Sequence, residues 1–495
     1  MEDIQSIFFK PYHEARGDNW YESDTTLKKV LDRHAFSEHH KSKKELSQLG
    51  KFAASEMFDL SQEAAKKENE PEIGKNQNIT LSPETQKLYK YVYLKKLGFV
   101  SSNLFIHYAK LYLMSLNGEA GVCCSLACTD GMERILKLYQ NSGPKLKKVY
   151  HDLTHPKPNK FYHGAQFVTE IQGGSDVAQN QVKAVKIKNK WKITGLKWFC
   201  SNINADYFLI TARSDETVSG AKGLSLFLVP RLEEKKTNHF RLRRLKDKLG
   251  TRELATAEVD FNGSCGYLVG EEGKGVSLVV GFVLTTSRIH CCLASTAFLR
   301  RALIEIKAYT HFRTAFGRPI IHYSLVKNTV QRIEETHQKL MCGLFKLLSM
   351  WEQSYREPDN KDIVFDTRIL ISLLKPFATK KTSALLHDAM MLLAGNGIEE
   401  QFSPLPRLLR DSIIYETWEG PHFVLLTQAY KDMKKFNLRE NMSAFFKRSV
   451  NDENHPLKEE LLAILNMEDE QKALLKFEVF AEKFIEAFLI FQLER

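Results

Sequence analysis

Apolar residues recur every three or four positions through most of the first 160 residues and again after Gly275, whereas between these stretches they alternate with polar ones. The first pattern predicts helices, and Asp24 ahead of Thr25-Thr26-Leu27 reads as the N-cap of one of them. The alternating stretch predicts a hairpin, Val185–Ile187 against Trp191–Ile193 across Asn189-Lys190, with further strands at 207–212, 223–229 and 255–261. Short strands in series with no helix between them predict a small antiparallel barrel. Beyond Gly270–Gly275, long amphipathic segments near 276–312, 325–356 and 363–394, with a fourth from about 421, fit a four-helix bundle. Phe477, Phe480, Phe484, Phe488 and Phe491 form one aromatic stripe, expected to pack on the bundle or on a sister subunit.

The expected class is therefore α+β, mainly α. Its parts are an N-terminal helical domain (1–160), a middle antiparallel β-barrel (161–268), a C-terminal four-helix bundle (269–438) and a helical extension (439–495). Composition changes this picture little: 43% hydrophobic and 26% charged residues describe a globular chain. No signal peptide is evident, and no apolar run reads as long enough to span a bilayer. Eight cysteines without a Cys-x-x-Cys pair read as buried thiols, which predicts a reducing, cytoplasmic setting and no metal site.

Charge is more informative. The net +11 resides wholly in 161–438, where 39 Lys+Arg face 28 Asp+Glu, whereas 439–495 carries 8 against 12. A basic middle invites a phosphorylated cofactor or DNA. An acidic C-terminal region argues against DNA, because a phosphate-tracking surface needs the opposite sign.

Candidate chemistry lies in five dispersed segments. Trp418-Glu419-Gly420 places a carboxylate beside a bulky ring, an arrangement that raises a pKa toward the working range of a base, here read at a helix entrance. Thr169–Asp176 contains two adjacent glycines flanked by hydroxyls, suited to a ring edge or a phosphate. Lys197–Asn202 offers aromatics and a hydroxyl at a strand end, Phe312–Pro319 an arginine ahead of a glycine that ends the first bundle helix, and Gly395–Gly397 a helix-ending turn.

Taken in chain order, Thr169–Val177, Gly195–Ser201, Arg244–Glu258, Arg288–Arg318 and Arg410–Gly420 resemble the acyl-CoA dehydrogenase family, and within it the branch typified by the bacterial adaptive-response flavoprotein AidB. The resemblance covers roughly residues 90–435 and implies FAD as cofactor, an acyl-CoA substrate, an electron acceptor such as an electron-transfer flavoprotein, and a homodimer or homotetramer. It implies that Glu419 is the base that removes the α-proton, since the alternative base position of some branches is held here by Ser287, just before Arg288. Val168 and Thr169 correspond to residues at the flavin pyrimidine, Ser201 to the hydroxyl near flavin N5, and Phe199 to the aromatic on the ring face. Ser175 corresponds to a hydroxyl shared between flavin phosphate and acyl-CoA, and Arg313, Phe316 and Gly395 to contacts with the rest of FAD. Arg288, Trp418 and Gly420, with Ser175, are the expected substrate contacts.

Four positions depart from the family pattern. Pro421, Phe423, Ser324 and Met391 stand where polar FAD contacts are usual. These departures keep two other readings open: a DNA-associated flavoprotein with residual dehydrogenase activity, and a non-catalytic binder of acyl-CoA or fatty acyl chains.

Overall fold

A computed structural model of the chain describes residues 4–94, 103–188 and 190–494. They gather into two units, one of residues 56–94 and 118–290, the other of 4–55, 103–117 and 291–494. The stretch 1–160, read from the sequence as one helical domain, is thus divided. Its helices Thr25–Ala54 and Leu104–Ser115 pack with each other and with Ser324–Arg356, whereas Cys123–Tyr139 packs on the sheet.

The first unit is built on seven strands: β1 Gly164–Phe167, β2 Lys183–Ile187, β3 Lys190–Ser201, β4 Tyr207–Arg213, β5 Leu224–Pro230, β6 Phe240–Leu245 and β7 Thr256–Val269. The pairing order is β6-β7-β3-β2-β4-β1, and β5 pairs with both β7 and β4, so five strands close into a ring. The expected hairpin is present, with Ile187 opposite Lys190; Asn189, in its turn, lies outside the described residues. One correction concerns direction. The barrel is mixed, because β1 runs parallel to β4 and β2 meets β4 in parallel at Lys183 and Arg213. β1 ends opposite Ile210 and β2 begins opposite Arg213, further along the same strand, so the chain continues in one direction across the 168–182 connection and β1, β2 and β4 run the same way.

Phe167, Phe208, Phe227, Phe240 and Phe261 fill the interior. β4 and β5 are buried on both faces, since Met132, Ile135, Leu136, Leu146 and Val149 cover Leu209, Leu226 and Leu228 from outside. That explains their continuous apolar runs. In the same unit a π-helical turn, Val279–Leu284, leads into the first bundle helix, Thr285–Phe312, which passes from one unit to the other at residues 290–291.

The second unit holds the rest of that helix, then Ser324–Arg356, Lys361–Leu392, and a pair of shorter helices, Leu405–Thr417 and His422–Lys435. The sequence places the last helix near 421 but leaves Leu405–Thr417 unassigned. Asp24 caps its helix as expected, its Oδ1 accepting from Leu27 N at 2.9 Å. The extension forms Leu438–Val450, Leu457–Leu465 and Glu470–Glu494. Phe477, Phe480, Phe484 and Phe488 are buried and pack on the bundle, with Phe484 against Phe445 and Phe446 and Phe477 against Tyr430.

The expectation that no apolar run is long enough to span a bilayer also needs correction. The helical run Gly275–Phe312 has the length and, in one window, the mean hydropathy (1.6) for it, but 61% of that window is buried inside the protein, as in a core helix. All eight cysteines are buried free thiols.

Candidate active site

Glu419 lies in the turn between Leu405–Thr417 and His422–Lys435, not at a helix entrance. The helix ends because Trp418 turns to extended geometry, its N–H still bonded to Ile414 O at 3.1 Å. Glu419 then takes a left-handed conformation (φ 58°) and Gly420 follows at φ 103°. A Cβ on Gly420 would come within 3.3 Å of Leu425, so glycine suits the turn on two counts. Pro421 caps the next helix with extended backbone, which accounts for a proline there.

Glu419 and Trp418 are half-buried, and the Trp418 ring packs 4.8 Å from Tyr415, which meets Phe298 at 5.5 Å. Below the turn the fully buried Lys375 donates from Nζ to Glu416 O and Gly420 O, both at 2.9 Å.

The barrel unit carries the residues assigned to the flavin ring. Thr169 O accepts from Trp198 N at 3.0 Å, which joins the end of β1 to β3. Val168 O accepts from Asn180 Nδ2 (2.7 Å) and Lys197 Nζ (3.1 Å). Gly174 packs so closely that a Cβ would lie 2.5 Å from Thr169 Oγ1. Ser175 is exposed beyond it. Phe199 is 49% exposed although its neighbour Cys200 is buried, and Lys246 Nζ sits 3.4 Å from the Trp198 ring centre and 4.6 Å from that of Phe199. Ser201 pairs its hydroxyl with Thr256 at 3.1 Å.

Sequence reasoning missed what holds this surface. Glu170, 3% exposed, pairs with the fully buried Lys197 at 2.8 Å and accepts backbone N–H bonds from Gln181 and Val182. Burial pushes the Lys197 ammonium below its usual range, and the Glu170 carboxylate opposes that shift. The signal was present: Lys197 shares the odd-numbered inward phase of Trp191 and Ile193 on β3. Lys375, embedded in Ile369–Phe377, carried a similar one.

Ser287 is buried and accepts a hydrogen bond from Gln166 Nε2 at 3.1 Å, so a hydroxyl engaged in the unit's own packing stands where other branches have a base. Arg288 beside it is buried. The adenosine-side residues are arranged otherwise. Arg313 follows the end of its helix, and a two-residue hairpin, Thr314–Ala315 against Arg318–Pro319, carries Phe316 at its tip, 96% exposed and left-handed at φ 49°. The helix thus ends at Phe312, and Gly317 (φ 85°) completes the hairpin and does not cap the helix. Gly395 lies in the short helical turn Ala394–Ile398, where an added Cβ would meet nothing within 4 Å. Met391 and Phe423 are exposed, and Ser324 opens its helix exposed.

The basic run 235–252 is largely consumed by the barrel. Arg241 and Arg243 pair with Asp260, Arg244 and Lys246 with Glu258, and Arg252 with Glu70, while Lys248 Nζ donates to Thr251 O and Leu254 O. Among the described residues one His/carboxylate group, Asp32, His39 and His40, brings potential ligand atoms within 4.8 Å. Its nitrogens already bond within the protein: His39 to Asp32 and Tyr21, and His40 Nδ1 to Phe36 O.

A closed mixed barrel in one unit and, in the other, a helical bundle with a carboxylate on an inter-helix turn define the acyl-CoA dehydrogenase fold. Two solved chains share it over nearly their whole length. The apo form of Bd2924 superposes with TM-score 0.88 at 27% identity, covering 96% of this chain and 98% of its own. The Caenorhabditis elegans protein ACDH-11 in complex with C11-CoA gives 0.82 at 26%, covering 95% and 87%.

Residues 165–264 match the acyl-CoA dehydrogenase middle domain and residues 273–434 its C-terminal domain, together just over half of the chain. The chain belongs to the acyl-CoA dehydrogenase family. It is 32% identical over 372 residues to acyl-CoA dehydrogenase family member 11 of Caenorhabditis elegans and 31% over 344 residues to the putative acyl-CoA dehydrogenase AidB of Escherichia coli. These matches take in 73% and 68% of this chain, but only 58% and 61% of the two relatives' own lengths.

Proposed function

We propose that this chain is an FAD-dependent acyl-CoA dehydrogenase that introduces an α,β double bond into an acyl-CoA thioester, with Glu419 as the base. The observation that carries the reading is the pairing of two positions: a half-buried carboxylate on the Trp418–Gly420 turn, and a packed Ser287 where the alternative base would stand.

The barrel residues fit a planar heteroaromatic cofactor. Val168, Thr169 and Ser201 line a surface held by buried bonds, Gly174 leaves room there for backbone alone, and Phe199 exposes a ring face. Bound there, FAD would accept the hydride from the β-carbon. Glu419 takes the proton from the α-carbon onto its carboxylate, so proton and hydride leave adjacent carbons and a carbon–carbon double bond forms. The α-proton is weakly acidic, and removing it requires donors at the thioester oxygen; the Glu419 backbone N–H is our candidate from this chain. Trp418, its ring packed at a tilt against Tyr415, shields the carboxylate from water.

An acyl-CoA substrate is supported by the similar solved protein that holds C11-CoA. An electron-transfer flavoprotein as acceptor, a homodimer or homotetramer, and a cytoplasmic location complete the proposal. The exposed Phe316, Met391 and Phe423 suit cover by a sister subunit. The ion pairs on the basic run disfavour the DNA-associated reading, because they leave few cations for phosphates. Met391 and Phe423, with Pro421 and Ser324, favour the binder as second reading, since they thin the polar contacts to FAD. The protein loaded with FAD is expected to lose its visible flavin absorbance anaerobically on addition of an acyl-CoA of suitable length. Protein that takes up no FAD, yet binds acyl-CoA, overturns the enzyme reading in favour of the binder.

A further inference from the structure

We propose that Lys375 is the positioning residue for the Glu419 base: its buried ammonium clamps the two backbone carbonyls that bracket the base and fixes the direction of the carboxylate. The inference rests on the dehydrogenase reading above.

Lys375 is fully buried in the middle of the helix Lys361–Leu392, among Leu373, Leu374 and Phe377. An ammonium is a costly choice at such a position unless its donors are used. Two bonds from it converge on the turn that carries Glu419. Nζ reaches Glu416 O and Gly420 O at 2.9 Å each, three residues before Glu419 and one after it.

Glu416 O is one of the last four carbonyls of Leu405–Thr417, which have no partner within the helix, and a cation suits the negative end of the helix dipole. The neighbouring carbonyl of Ile414 is satisfied differently, by Trp418 N (3.1 Å) and Thr417 Oγ1 (2.9 Å). Lys375 therefore ties the end of one helix to the start of the next.

That tie matters because the residues between are not a self-sufficient turn. Trp418 is extended, Glu419 left-handed at φ 58° and Gly420 at φ 103°. Left-handed geometry is disfavoured for a glutamate and persists where surrounding contacts over-determine it. The Trp418 ring on Tyr415 holds the side-chain face of the turn, and Lys375 holds its backbone. A base must meet its proton within hydrogen-bond reach, and a misplacement of about 1 Å costs on the order of a hundredfold in rate.

Lys375→Met removes the charge and both donors while nearly keeping the length of the side chain. In FAD-loaded protein it is expected to slow single-turnover flavin reduction by about tenfold to a hundredfold, with KM for acyl-CoA changed less than about twofold. Lys375→Arg, which keeps charge and donors, should restore most of the rate. In protein without cofactor, Lys375→Met should speed amide hydrogen exchange across residues 418–425 by about tenfold or more. Wild-type reduction rate and exchange in Lys375→Met would overturn the proposal.

Glu419→Gln separates the two levels. Undiminished reduction in that variant sinks the base assignment itself, whereas its loss beside a normal Lys375→Met sinks only the clamp. If Lys375→Met does not fold, Gly420→Ala strains the same turn at φ 103° and should slow reduction to a similar extent. An unchanged rate there contradicts a turn that must be held.

Discussion

The rim of the barrel and the ends of the bundle helices each carry residues proposed to hold the cofactor, and the two sets are prepared to very different degrees. On the barrel, Val168–Glu170 is tied by Lys197, Asn180, Trp198 and the backbone of Gln181 and Val182. On the bundle, Arg313, Phe316, Gly395, Met391 and Phe423 are all exposed, and Phe316 stands on a hairpin tip with its ring almost wholly in solvent. The chain by itself organises the surface assigned to the reactive ring. For the part assigned to the adenosine end it offers residues without enclosure.

The strongest way to break this comparison is to remove Lys197. Lys197→Met leaves Glu170 as a buried carboxylate short of its cation and should cost about 3–5 kcal/mol in denaturant unfolding. A loss of less than about 1 kcal/mol would mean that the rim is not held by this pair. At the other end of the scale, Arg313→Ala with Phe316→Ala should leave unfolding free energy within about 0.5 kcal/mol of the parent, as for exposed sites generally. The same pair should still weaken FAD binding measured by titration. Equal affinity in parent and variant would remove these residues from the cofactor site.

What the sequence disclosed follows the same division. Periodicity located the amphipathic bundle helices, continuous apolar runs marked β4 and β5 as strands buried on both faces, and the Phe477–Phe488 stripe is buried where its spacing implied. The parallel pairing of β1 with β4 was hidden, since alternation along a strand carries no information about the direction of its neighbour. Glu419 stood out from its motif, but its left-handed turn depends on Lys375, whose Nζ binds a carbonyl 41 residues away in sequence. Lys197 was readable from its inward phase on β3, yet its partner Glu170 comes from another strand end, 27 residues earlier. The +11 charge was visible at once. That Glu258 and Asp260 neutralise much of its densest run required the β6–β7 register, which sets Arg241 opposite Asp260 and Arg244 opposite Glu258.

The central claim is that Glu419 removes the α-proton of a bound acyl-CoA. It is tested most directly by mixing FAD-loaded Glu419→Gln protein anaerobically with saturating acyl-CoA and following the flavin absorbance in a single turnover. Glutamine keeps the shape of the turn and lacks the basic oxygen, so acyl-CoA should bind with nearly parental affinity while flavin reduction slows by about a hundredfold to ten-thousandfold. Reduction at the parental rate would contradict the account.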